Sequence, residues 1–123
     1  MEKNELEART KRFALSIIAF VGGLPKNRIT DVLGYQLLKS GTSIGANYRE
    51  ARCAESIDDF IHKIGIAEKE ANETKYWLEL VSEANIVESD QVRSLLQEVS
   101  QLLAIFISSG KTAKANKKSR KSK

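Results

Sequence analysis

The chain has 123 residues, enough for one domain with a modest core and too few for two. Seven aromatic residues in every hundred, one Trp and one Pro argue against a β-sandwich and for long helices with few turns. The formal charge of +4 is unevenly spread: seven of the twenty basic residues lie in 111–123 with none of the sixteen acidic ones, leaving thirteen against sixteen in residues 1–110. An argument from charge to nucleic acid is therefore an argument about the last thirteen residues. A single cysteine, Cys53, excludes an intramolecular disulfide and points to a reducing, cytoplasmic setting. The first dozen residues are charged, unlike a secretory leader, and the apolar stretch from Phe13 to Leu24 is too short and too amphipathic for a bilayer, so no membrane role is expected.

Four segments carry helical periodicity. In the first, Phe13, Ile17, Val21 and Leu24 share one face, and Gly22, Gly23 and Pro25 end it. Met1 to Glu5 are expected to fray. In the second, Thr30 can cap the helix with Asp31 suiting its dipole, and Leu33, Leu37, Gly41, Ile44, Tyr48 and Ala51 follow as one stripe. The continuity of that stripe places the small-residue run Gly41-Thr42-Ser43-Ile44-Gly45-Ala46 inside a helix. The third segment opens on Ser56-Ile57-Asp58-Asp59, close to a capping box, and buries Phe60, Ile64, Ala67, Ala71, Thr74, Leu78 and Val81 before Asn85 stops it. The fourth begins at Ser89 or Asp90, presents Val92, Leu95, Leu96, Val99, Leu102, Leu103, Phe106 and Ile107, and ends with Gly110 as its cap. Short connections force antiparallel neighbours, so the predicted fold is all-α, an up-down-up-down four-helix bundle over 1–110 with a disordered, flexible basic tail over 111–123.

Gly41 and Gly45 lie four apart on one face, each costing about 1 kcal/mol against alanine in a helix interior. Their small size points to close packing with another helix or another subunit. A phosphate cradle is the weaker alternative, because the GxxxxGK[ST] order is missing and amides inside a helix are already bonded. Tyr76, Trp77 and Leu78 are consecutive and cannot all face one core, so Tyr76 or Trp77 is a candidate for a subunit interface. The contiguous Ile105-Phe106-Ile107 widens the apolar face of the fourth helix in the same sense.

Catalysis finds little support. Cys53 and His62 are nine apart across a helix break, with no third group to complete a nucleophilic site. Glu68, Glu70, Glu73 and Glu79 form no Glu-x-x-His pair, so a di-metal carboxylate site is not indicated, and Glu70 or Glu73 is assigned instead to ion pairs with Arg49 or Arg52. An Arg a few residues before a His, as in helical ribonucleases of the HEPN type, is absent. No cofactor or metal is expected. The basic residues Arg49, Arg52, Lys111, Lys114, Lys117, Lys118, Arg120, Lys121 and Lys123 are the candidates for nucleic-acid contact. The last seven contain no aromatic neighbour to stack on a base, which points to phosphate contacts alone.

The phrases SGTSIGANYREA (residues 40–51) and KEANETKYWL (69–78) resemble the four-helix-bundle proteins associated with intervening sequences of 23S ribosomal RNA, and the resemblance runs from about Phe13 to Ile107. It implies a ring-forming homo-oligomer, a pentamer, with structured RNA as partner. Related bundles are accessory subunits of the reverse transcriptases of diversity-generating retroelements, which adds a reverse transcriptase as a possible partner. The function expected is non-enzymatic nucleic-acid binding by an oligomeric bundle; the alternative is a protein-interaction scaffold with no nucleic-acid role.

Overall fold

The computed structural model describes residues 3–87 and 90–121, with side chains described for 5–87 and 90–120. The chain forms four helices: α1 (Lys3–Gly22), α2 (Arg28–Arg52), α3 (Ile57–Glu83) and α4 (Asp90–Lys121). Each packs on the next in chain order, and α1 meets α4 to close an antiparallel four-helix bundle.

The helix ends follow from local chemistry. Asn27 caps α2: its side chain accepts from the Thr30 amide at 3.0 Å while its own amide donates to the Thr30 hydroxyl at 3.1 Å. Thr30 thus answers the cap from the third helical position rather than being the cap. Ser56 caps α3 by accepting from the Asp59 amide at 3.1 Å, with Asp58 and Asp59 at the positive end of the dipole. Asn85 stops α3 in the left-handed region at φ 53°, and the Asn85 and Ile86 amides donate back to the Ser82 and Val81 carbonyls. Ser89, one of the two predicted starts of α4, lies outside the described residues.

Two helices are longer than predicted. α1 begins about three turns before Phe13 because Leu6 and Thr10 continue its stripe; the Thr10 hydroxyl donates to the Glu7 carbonyl at 3.0 Å, which lets a polar residue be buried there. α4 does not stop at Gly110, and residues 111–121, predicted to be a disordered tail, extend it instead. Gly110 is buried over Ile64, Ala113 is buried one turn later, and Lys117 forms an ion pair with Asp58 at the start of α3. The inward stripe runs Phe106, Gly110, Ala113, Lys117, at spacings of four, three and four. Of its last three members only Ala113 is apolar, and it is small.

The core is built by Phe13, Ile17, Leu37, Ile44, Ile64, Leu78, Leu102 and Phe106 with their neighbours. Gly34, Gly41 and Gly45 of α2 lie against α1: a Cβ at Gly41 would sit 3.0 Å from Ile17 and one at Gly45 3.1 Å from Thr10. The small-residue run is thus the α1–α2 contact within one chain. Across the seam between α1 and α4, Arg9 donates to both carboxylate oxygens of Glu98, at 2.7 and 2.6 Å, and to Gln101 at 2.6 Å. This bond holds the guanidinium proton above its ordinary range, with burial opposing it.

Candidate nucleic-acid interface

Arg49 and Arg52 occupy the last turn of α2, where cations suit the helix dipole. They lie close together, but Glu7 of α1 answers both: Arg49 Nε is 3.2 Å from one carboxylate oxygen and Arg52 Nη1 is paired with the other. Glu70 and Glu73 of α3, the predicted partners, do not fill that role. Glu70 faces Lys39 and Lys69 electrostatically, and its carboxyl is pushed up chiefly by burial and then by Glu73. Glu50 pairs with Lys63 across α2 and α3 at 3.5 Å.

Above the Glu7 cluster, α1 and α2 leave a groove of about 540 Å3 lined by Lys11, Ala14, Thr42, Ala46, Arg49 and Cys53 among others. The hydroxyls of the small-residue run, of which Thr42 lines the groove, are turned back on the helix. Ser40, Thr42 and Ser43 donate to the carbonyls of Gln36, Leu38 and Lys39, and the Asn47 amide donates to the Ser43 carbonyl at 2.8 Å. The donors that a phosphate cradle would need are therefore committed to α2 itself. Tyr48 is buried against Phe106, ring centroids 5.9 Å apart, and burial raises its phenol pKa while Arg52 pulls the other way. It belongs to the core.

The exposed end of α4 has a different character. Lys111, Lys114 and Lys118 follow one another at spacings of three and four, which places them on one face beside the buried Gly110–Ala113–Lys117 stripe, and all three are exposed. Arg120 is exposed on another face. Lys117 is half-buried and paired with Asp58. Lys121 closes the helix backbone, and Lys123 lies outside the described residues. The structure thus separates the predicted cations into two groups some distance along the chain: Arg49 and Arg52 joined to an acid, and a lysine stripe on a helix.

Among the other predicted residues, Tyr76 is 52% exposed, whereas Trp77 packs partly on the core with its indole Nε1 buried and without a hydrogen-bond partner. The two rings meet edge to face at 5.1 Å. Sequence reasoning missed a row of exposed apolar residues on the first half of α2, Ile29, Val32 and Tyr35 at 56–62% exposure, with Leu15 and Ile18 exposed on α1. A spacing of three between large apolar residues opposite the core stripe is a signal the sequence does carry. Cys53 and His62 are both exposed, and no group of three or more His, Cys, Asp or Glu side chains able to hold a metal occurs among the described residues. No helix among them is long and apolar enough to cross a membrane.

The comparisons agree with this architecture. No curated protein matches the chain. Among solved structures, a protein of unknown function from the S23 ribosomal protein family of Bacteroides thetaiotaomicron VPI-5482 superimposes with a TM-score of 0.82 at 40% identity, covering 90% of this chain and 99% of that one. The model of the 23S rRNA-intervening sequence proteins matches residues 2–108, nearly the whole bundle. With that extent of sequence and fold in common, the chain belongs to the 23S rRNA-intervening sequence protein family.

Proposed function

We propose that the protein is a non-enzymatic nucleic-acid-binding bundle that works as a homo-oligomer, with structured RNA as its partner. The observation that carries this reading is the exposed lysine stripe of α4, set on a bundle of the 23S rRNA-intervening sequence family. If Lys111, Lys114 and Lys118 all meet phosphate, log K falls with log salt at a slope of roughly −2 to −3. Self-association, in a ring such as a pentamer, would place several of these stripes in one particle and raise affinity through effective concentration. The exposed Ile29, Val32 and Tyr35 support a subunit contact on α2, with Tyr76 a further exposed aromatic. Service beside a retroelement reverse transcriptase is a narrower form of the same reading.

The test is RNA binding by the intact chain across a salt series, with the mass in solution measured alongside. Binding with a steep salt slope by an oligomer supports the proposal. Absence of binding at low salt and micromolar protein overturns it. The exposed apolar row favours a protein scaffold as the second reading, and a particle that assembles but ignores RNA would establish that one. Val32→Asp is expected to reduce the assembled mass while leaving the helix content unchanged.

A further inference from the structure

We infer that residues 111–121 are a preformed cationic helix that docks on double-helical nucleic acid rather than on a single strand; this rests on the nucleic-acid reading above and narrows it. The helix is held to the bundle by one face, through buried Gly110 and Ala113 and the Lys117–Asp58 ion pair. The neighbouring face is left to Lys111, Lys114 and Lys118. At 1.5 Å per residue, Lys111 and Lys118 are about 10 Å apart along the axis. Their spacing is set before any partner arrives, so little conformational freedom is lost on binding.

A fixed row of charges has most to gain from phosphates that are themselves fixed, and a duplex supplies these. A single strand is flexible, and sites for it add aromatic side chains on which unpaired bases stack. Residues 111–121 hold no aromatic residue. They also lack the Asn, Gln or Arg row that would read base edges, since Asn116 and Arg120 lie away from the lysine face. The lysines are therefore assigned to the phosphate backbone, contacts to which carry no sequence information. Cations near a helix C-terminus also complement its dipole, but that effect is confined to the last turn. Lys111 and Lys114 lie about two turns or more before Lys121 and need another reason. The family match ends at residue 108, short of this helical extension.

The experiment compares an RNA duplex, a DNA duplex of the same sequence and an unstructured single strand of the same length, by fluorescence anisotropy at fixed salt. The intact chain is set against Thr112→Pro, which keeps every cation but removes an amide donor and clashes with the Ser108 carbonyl. A second variant, Lys111→Gln with Lys114→Gln and Lys118→Gln, keeps the helix and removes the stripe. The intact chain is expected to prefer either duplex to the single strand, and both variants to lose about tenfold or more in duplex affinity. Thr112→Pro is also expected to lower helical ellipticity while holding single-strand affinity unchanged. Duplex binding by Thr112→Pro equal to that of the intact chain, an unchanged ellipticity, or a preference for the single strand would overturn the inference while leaving nucleic-acid binding intact. Failure of the intact chain to bind any of the three would overturn both.

Discussion

Gly41 and Gly65 are both helical glycines, and their surroundings give them opposite roles. Beside Gly65, on the exposed face of α3, no heavy atom lies within 4 Å of an added Cβ. Gly65→Ala is therefore expected to stabilise the fold by about 0.5–1 kcal/mol, through helix propensity alone. At Gly41 the fully buried Ile17 already stands 3.0 Å from the missing Cβ, so Gly41→Leu is expected to cost about 1–3 kcal/mol. Urea denaturation of the two variants checks both signs. Glu70 is a third informative residue. Its carboxyl pKa is raised, by burial first and Glu73 second, so the folded protein holds this proton more tightly than the unfolded chain. The ionised form therefore costs stability above the folded pKa, and the cost disappears as pH falls through the carboxylate range. Glu70→Gln is expected to raise Tm at neutral pH, with the gain shrinking toward about pH 4. A gain that persists in acid would assign the effect to packing.

Among the elements, α3 was the most legible. Its cap at Ser56, its buried stripe from Ile64 to Val81 and its stop at Asn85 all stand where the residues place them. Each depends only on neighbours within a few positions. The start of α1 and the end of α4 were harder to read because polar or very small residues take inward positions there: Thr10 stands between Leu6 and Phe13, and Gly110, Ala113 and Lys117 follow Phe106. Their burial becomes favourable only once a facing helix supplies Gly45 to Thr10, Ile64 to Gly110 and Asp58 to Lys117. The close packing of Gly41 and Gly45 was readable, but the choice of α1 as the facing surface was not. The candidate site shows the same limit. Arg49 and Arg52 could be named from their place in α2, yet their acid, Glu7, comes from α1, more than forty positions away, and is fixed by the register of two helices.

For the whole molecule, the order of packing has a consequence for time as well as for structure. α1 leans on α2, α2 on α3 and α3 on α4, all contacts between successive helices; only the seam from α1 to α4 joins the ends of the chain. Low-separation contacts form early because their loops are short to close, whereas the Arg9–Glu98 bond spans 89 positions and closes late. An interaction made after the rate-limiting barrier affects escape from the native state more than arrival at it. Arg9→Ala, which removes about 1–2 kcal/mol at this half-buried pair, is expected to accelerate unfolding roughly 5- to 30-fold and leave the refolding rate nearly unchanged in stopped-flow measurements. The clamp across the seam then acts chiefly on lifetime: it governs how long a folded bundle stays shut.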